Sequence, residues 1–358
     1  MLRSGMTDRR LEPQTLDAEG PLVAVYLVTF RRHELLKRSI ASVLAQSHRN
    51  VRLRVVNDDP ADDALAGIVA NFADPRAELF EPVTKRGATA SFALVFAEDE
   101  ADFVTLLEDD NWWEPDFLQS QIRLLERHPD VPVVVGNEHI WREQSDGSWL
   151  NTGRMIWQFS DVRKYRFALE TICGNATYCN SSALIRVQRE QPMKIPGTIP
   201  VDVTEHFRER TFPAIILQNG APLTNYAETL ATARDTRGKC WGHYQQLLIG
   251  SCFAALKSSA ARRRLASNLW NSIDDPLSPR AVSLVLAGMA IKPARALLRG
   301  APFKAIARAL LTLMRRPGSL VQFGRQSNLA AEFEFLVNAP LTCHLAAIAD
   351  SQCGGAQK

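Results

Sequence analysis

Three short segments near the start of the chain, two of them apolar runs and one alternating Val and Leu with Arg, do most to restrict its fold. Leu22 to Thr29, Val51 to Val56 and Phe103 to Leu107 read as strands, with Glu78 to Val83 as a shorter one. The first run is Leu-Val-Ala-Val-Tyr-Leu-Val-Thr, without polar alternation before its last residue. A strand with one wet face alternates, so this one reads as buried on both faces, as in a parallel sheet. Helix-period segments separate the runs. Leu36, Ile40, Val43 and Leu44 recur at helical spacing, with Lys37, Arg38 and Ser42 opposite. Asp62 to Phe72 and Thr89 to Ala97 predict two further helices. This alternation implies right-handed crossovers and an α/β architecture, a mostly parallel sheet flanked by helices. Ligands of such sheets bind beyond the carboxyl ends of the strands. That rule puts Thr29, Asp58 and Asp110 along one rim.

Further on, Pro115 to Arg127 predicts a helix and Val131 to Val135 a buried strand. Residues 141–165, rich in Trp and Gly, read as an irregular hairpin region, and Thr177 to Val187 as a strand. Val201 to Arg210 predicts a short helix after a proline-containing loop. From Trp241 the pattern is helical, interrupted by prolines. The expected organisation is a flexible tail over 1–20, an α/β domain over 21–240 and a basic helical region over 241–358. The six cysteines form no CxxC pair, so neither a zinc site nor a disulfide framework is expected. Reduced thiols in a cytoplasmic setting are the default. No stretch reads as a signal peptide or a transmembrane span.

At Glu108-Asp109-Asp110 three carboxylates follow the fourth strand directly. Neighbouring acids repel and raise one another's pKa unless a cation sits among them. Mg²⁺ and Mn²⁺ take one or two such oxygen ligands together with substrate phosphates. The triplet therefore reads as a metal–diphosphate site, against the alternative of a solvated turn.

The order Thr29-x-x-Arg32, then Val55-Val56-Asn57-Asp58-Asp59, then Arg86-Gly87, then Leu107-Glu108-Asp109-Asp110-Asn111-Trp112 resembles the N-terminal half of the family 2 inverting glycosyltransferases. The resemblance covers roughly residues 20–230 and implies a GT-A-like fold and a nucleotide-sugar donor linked to UDP, dTDP or GDP. It implies donor binding by Thr29, Arg32, Asp58, Asp59, Arg86, Glu108 and Asp109. Asp110 becomes the direct ligand of Mn²⁺ or Mg²⁺, the metal assisting departure of the diphosphate. Glu108 stands where the family usually has Asp, and Asn111 where another Asp is frequent. The family's general base falls on Val201-Asp202-Val203-Thr204-Glu205-His206, with Asp202 first choice and Glu205 second. A capping box at the start of a helix is the competing reading of that pair, as N-capping is for Asp58 and Asp59. Trp112, Trp113 and Asn175 are candidate acceptor-binding residues. One of the two tryptophans is expected to pack in the core.

The formal net charge is only +3, yet residues 251–330 hold thirteen Lys and Arg against two acids, a local net of +11. Phe303, Ile306, Leu310 and Leu313 line one helix face, with Lys304, Arg308 and Arg315 off it. A basic amphipathic helix suggests peripheral attachment to an anionic membrane surface, suiting a saccharide or lipid-linked acceptor. Ordinary helix packing with solvated arginines is the plain alternative. Nucleic acid is not expected as a partner, since no recognised binding motif accompanies the charge. Two rival functions remain: a catalytically silent nucleotide-sugar binder or membrane-associated scaffold of the same fold, and a nucleotidyltransferase. No GxGxxG or GxxxxGK occurs, which argues against dinucleotide redox and P-loop chemistry.

Overall fold

All seven residues of β1 (Val23–Thr29) are buried, and the side chains of Val23 to Val28 alternate between two separate cores. The computed structural model describes residues 20–81, 86–98, 100–173, 176, 178–187, 195–213, 215–230, 241–324 and 327–339. After β1 come α1 (His33–Leu44), β2 (Val51–Asn57), α2 (Ala64–Ala70) and β3 (Ala77–Phe80). Then α3 (Ala88–Phe92) tightens into a 3₁₀ turn that ends at Ala97, before β4 (Phe103–Glu108). β1 pairs in parallel with β2 on one side and β4 on the other, and β3 pairs with β2. Val23, Val25 and Leu27 face α1, α2 and the later helix over Phe117–Arg127, whereas Ala24, Tyr26 and Val28 face α3 and the C-terminal helices. That double burial explains the unbroken apolar run.

The second half of the sheet departs from the sequence reading. Its elements are β5 (Trp112–Trp113), α4 (Phe117–Arg127), β6 (Val133–Glu143), β7 (Trp149–Met155), β8 (Val162–Arg166), α5 (Leu169–Ile172), β9 (Ala183–Arg186), α6 (Thr204–Thr211) and β10 (Ile215–Glu228). The strand order is β3-β2-β1-β4-β9-β6-β10-β5, with β7 beside β6 and β8 beside β10. β9 is antiparallel to both β4 and β6, so the sheet is mixed rather than mostly parallel. The cause is local. The turn that feeds β9, Asn180–Ser182, touches the carboxyl end of β4, because Glu108 N–H donates to Ser181 Oγ at 3.1 Å. A strand that begins at that rim must run back against β4. Residues 141–165 are also more regular than expected. They hold the end of β6, paired antiparallel with β7, and then β8.

Beyond residue 240 lie α7 (Trp241–Ala255), α8 (Ser259–Asn271), α9 (Pro279–Ala290), α10 (Ala296–Arg299), α11 (Phe303–Arg315) and α12 (Ser327–Asn338). Ser258 and Ser278 cap α8 and α9 by accepting backbone N–H groups, and Pro279 opens α9 where its missing donor costs nothing. These helices share one continuous apolar core with β1, β4, β6 and α6. Phe207 of α6 meets Tyr244 of α7 edge to face, with ring centres 5.9 Å apart. Among the described residues no single helix is long and apolar enough to cross a membrane.

Candidate functional site

The carboxyl ends of three neighbouring strands lie level. Thr29 pairs with Asn57, and Val28 with Glu108. The residues that follow form a polar rim. Thr29 Oγ1 donates to Asp109 Oδ2 at 2.8 Å, and the Phe30 N–H reaches the same oxygen at 3.3 Å. Arg32 Nη1 donates to Asp110 Oδ2 at 2.7 Å and to Asp109 Oδ1 at 3.4 Å. Between these contacts Arg31 has φ 56, a left-handed backbone that a non-glycine residue adopts rarely, and its guanidinium pairs with Asp59. Asp59 also accepts the Ala61 N–H at 3.2 Å. The next helix starts only at Ala64, so Asp58 and Asp59 are not its N-cap. Asp58 is buried and accepts from Ser91 Oγ at 2.8 Å. Ser91 sits on α3, which starts after Gly87, whose φ of 82 suits glycine. Arg86 precedes that turn and is exposed.

The acidic turn is therefore divided by its partners more than by exposure, the Asp109 and Asp110 side chains being 8% and 13% exposed. Burial, and then the Asp110 charge beside it, push the Asp109 carboxyl up to about 6, against the opposing effect of Arg32. Asp109 has both oxygens engaged inward. Asp110 lies half-buried at the rim, with Arg32 as its partner. Its backbone is held from α1. Arg38 Nη2 donates to the Asp110 carbonyl at 2.9 Å, and Ser39 Oγ bonds the carbonyls of Asp109 and Asn111 at 2.9 and 2.6 Å. The Arg38 guanidinium lies 3.6 Å from the Trp112 ring centre and 4.3 Å from that of Trp149. Arg38 is thus a clamp on the acidic turn rather than part of a solvated helix face.

The two tryptophans separate cleanly. Trp113 is buried, stacks on Phe117 with ring centres 4.5 Å apart, and donates its Nε1–H to the Ser181 carbonyl at 2.7 Å. It packs, and its reading as an acceptor-binding residue is corrected: a side chain enclosed in this way presents no face to a ligand. Trp112 is half-buried beside Trp141 and Trp149.

Glu108 is bound into a network that also accounts for Asn111. Asn111 Nδ2 donates to Glu108 Oε2 at 3.0 Å and to Ser181 Oγ at 2.9 Å, and its Oδ1 accepts the Ala227 N–H at 2.9 Å. Only an amide can donate and accept in this way. An Asp there would bring a buried carboxylate against Glu108 with no proton to share. We expect Asn111→Asp to cost about 2–4 kcal/mol of stability, read as a lower denaturant midpoint, with Asn111→Ser milder.

The candidate base region meets the same turn from the other side. Asn180 Nδ2 donates to Glu205 Oε1 at 3.1 Å, and the buried Arg208 guanidinium bonds Asn180 Oδ1. The N-cap of α6 is Val203, which puts Glu205 at the second helical position and not at the third that a capping box uses. The Asp202 side chain and Asn175 lie outside the described residues. Adjacent residues Asn180 and Ser181 therefore tie Glu205 and Glu108 to one short turn. Beneath it, Glu138 is buried and accepts the Cys179 N–H at 3.1 Å. Burial pushes its carboxyl up to about 7, against the bonds it accepts from Cys179 and Ser182. A carboxyl with a raised folded pKa holds its proton in the native state while the unfolded chain has lost it. Stability therefore falls as pH rises from about 4.5 to about 7. Glu138→Gln is expected to remove that slope, raising the melting temperature at pH 8 by more than at pH 5. A uniform change at both pH values would contradict this.

Arg38, Ser39, Ser91, Asn180 and Ser181 were not singled out by motif. The available signals were the small polar Ser39 on the apolar side of α1 and the polar triplet Asn180-Ser181-Ser182 ahead of a buried strand.

Among the described residues no three His, Cys, Asp or Glu side chains form a complete ligand set. A Mg²⁺-type ion at a diphosphate needs only one or two carboxylates and completes its shell with phosphate and water. Asp110, a hard oxygen donor paired with Arg32, fits that demand, while Asp109 has its oxygens committed to Thr29, Phe30 and Arg32.

Residues 24–188 match the family described as Glycosyl transferase family 2. An Escherichia coli protein named UDP-Glc:alpha-D-GlcNAc-diphosphoundecaprenol beta-1,3-glucosyltransferase WfgD is 25% identical over 124 residues, 35% of this chain and 48% of that protein. The putative colanic acid biosynthesis glycosyl transferase WcaA of Escherichia coli K12 is 32% identical over 102 residues, 28% of this chain and 36% of that protein. The chain thus spans less than half the length of these relatives. Among solved structures, S. aureus TarS 1-349 in complex with UDP superposes with a TM-score of 0.53 at 12% identity, over 90% of this chain and 91% of that one. At that identity the likeness is one of fold.

Proposed function

We propose that this chain, whose residues 24–188 carry a family 2 glycosyl transferase domain, is an inverting glycosyltransferase that moves a sugar from a nucleotide-sugar donor to a saccharide or lipid-linked saccharide. The reading is supported above all by the rim on which Thr29, Asp58 and the Asp109-Asp110 pair meet at level strand ends. A relative named for UDP-Glc and a neighbour solved in complex with UDP support a nucleotide donor, with dTDP and GDP as alternatives.

In this reading Asp58 and Asp59 accept hydrogen bonds from the base and ribose, and Thr29, Arg32 and Arg86 border the diphosphate. Glu108 and Asp109 shape the donor pocket from beneath. A divalent ion, Mn²⁺ or Mg²⁺, held by Asp110 would neutralise charge on the departing diphosphate. Arg32, already paired with Asp110, supplies a second positive charge on the same side. Asp202, or Glu205 in its place, takes the proton of the acceptor hydroxyl. The hydroxyl oxygen then bonds to the anomeric carbon as the bond to the diphosphate oxygen breaks, through an oxocarbenium-like transition state that inverts the centre. Trp112 and Asn175 border the acceptor. The protein works as a peripheral protein on the inner membrane face, where lipid-linked saccharides are met.

The test is release of nucleoside diphosphate from UDP-, dTDP- and GDP-sugars, with Mn²⁺ and with chelator, followed by NMR of the product's anomeric configuration. One donor class should turn over with metal and give the inverted product. A retained configuration would overturn the inverting mechanism. Nucleotide binding without turnover on any donor or acceptor would favour the silent binder, a reading motivated by the engagement of Asp59 with Arg31 and of Asp110 with Arg32.

A further inference from the structure

The strongest feature outside the crevice is α11. Phe303 is 82% exposed, Met314 74% and Leu310 47%, and these are the large apolar side chains on one side of a single helix. With Ala307, also exposed, they recur at i, i+4, i+7 and i+11, which is one stripe at about 100° per residue. The helix buries a different sector. Ala305 and Ala309 are fully enclosed, and Ile306 and Leu313 pack partly against the core. Ordinary packing therefore accounts for the small-residue side of α11 and leaves the large apolar side outward.

The flank of that stripe is basic. Lys304, Arg308 and Arg315 are exposed and share a third sector of the helix, with Arg316 following. No Asp or Glu occurs between Asp275 and Glu332, so nothing nearby in sequence neutralises them. An apolar stripe bordered on one flank by cations matches the boundary between acyl chains and anionic headgroups. A protein partner would need an equally apolar and acidic groove, whereas a membrane of anionic lipid supplies both properties at once.

We infer that α11 is a docking surface for anionic lipid, with Phe303, Leu310 and Met314 entering the headgroup boundary and Lys304, Arg308 and Arg315 lying against lipid phosphates. This deepens the membrane reading given above, but it stands on a surface separate from the donor crevice. The two can therefore fail independently.

Vesicle sedimentation of the full chain tests it, with phosphatidylcholine vesicles and with vesicles also containing phosphatidylglycerol. The chain should sediment with the anionic vesicles and release at high salt. Lys304→Glu with Arg308→Glu should weaken that binding tenfold or more. Phe303→Ser with Met314→Ser should do the same, with unchanged melting temperature because the side chains are exposed. Nucleotide binding by both double variants in vesicle-free buffer should equal that of the parent chain, which separates this surface from the donor site. Equal vesicle binding by parent and variants would overturn the inference, as would indifference to lipid charge. So would a dimer in solution that Phe303→Ser converts to monomer, since a second copy would then be the occupant.

Discussion

Asp110→Asn is expected to lower donor turnover by about 10²–10³-fold while the melting temperature moves by only a few degrees. The asymmetry follows from the acidic turn. Asp109 carries the bonds to Thr29 Oγ1 and the Phe30 N–H, while Asp110 pairs with Arg32. Losing the Asp110 charge removes its pair with Arg32 at 2.7 Å but also relieves its repulsion of Asp109, and Arg32 keeps Asp109 as a partner. The Asp109 carboxyl, now pushed up to about 6 by burial and by Asp110, should fall in the variant. What the amide lacks is the charge needed to hold a divalent ion at a departing diphosphate. Steady-state release of nucleoside diphosphate and a melting curve on the same sample check both halves. Parent-like turnover would remove Asp110 from the metal role. Loss of folding would mean that the turn depends on both acids.

Glu98→Ala is expected to cost about 3–5 kcal/mol of stability, the largest loss predicted for a residue away from the crevice. Its side chain is 1% exposed and carries several partners at once. Tyr26 Oη donates to it at 2.8 Å, Arg52 Nη2 at 3.0 Å and Arg54 Nη1 at 2.9 Å, and the Glu100 N–H reaches it at 2.8 Å. Burial alone would raise its pKa, but the Glu100 N–H, Tyr26 and Arg52 outweigh that and hold it below the usual range. Truncation removes the one buried acceptor shared by Arg52, Arg54, the Tyr26 hydroxyl and the Glu100 N–H, leaving Arg52 with Glu100 and Arg54 with Glu78 and Tyr26 at the more exposed edge. Because the folded carboxyl is depressed, its contribution is present above the unfolded pKa and is lost as pH falls through the folded one. Urea midpoints of the variant and parent should therefore converge in acid and separate near neutrality. A difference below about 1 kcal/mol at neutral pH would show that the cluster is weak.

How far this architecture can be read from residues alone depends on burial. β1 and β4 are legible because both their faces are covered, which keeps them almost wholly apolar, and β2 because Val51, Leu53 and Val55 alternate with Arg52 and Arg54. The rim follows from the rule that such strands open their carboxyl ends to ligands. β10 is not legible, since Gln218-Asn219-Gly220-Ala221-Pro222 interrupts it and its register against β6 shifts at Asn219 and Pro222. Gly220 is needed there, because a Cβ would come within 2.7 Å of the Phe159 and Asp161 carbonyl oxygens. The antiparallel sense of β9 is set by a contact between Glu108 and Ser181, 73 residues apart, which no local pattern encodes. Helical periodicity located the amphipathic character of α11 but not which sector packs. It grouped Phe303 and Leu310 with Ile306 and Leu313, whereas the fold buries Ala305 and Ala309 and leaves Phe303 and Leu310 outside. At the site, the acids were evident as a triplet. Their division into an inward Asp109 and a rim Asp110 depends on Thr29, Arg32, Arg38 and Ser39, whose bonds exist only once β1, α1 and β4 are assembled.

The central proposal is that a nucleoside diphosphate lies across the ends of β1, β2 and β4. Calorimetric titration of the full chain with UDP, dTDP and GDP, with and without Mn²⁺, tests it most directly. One nucleotide should bind with an affinity that Mn²⁺ strengthens, and binding should weaken at least tenfold in Asp58→Asn, where a buried acceptor is lost. No heat with any of the three, or unchanged affinity in Asp58→Asn and Asp110→Asn alike, would contradict it.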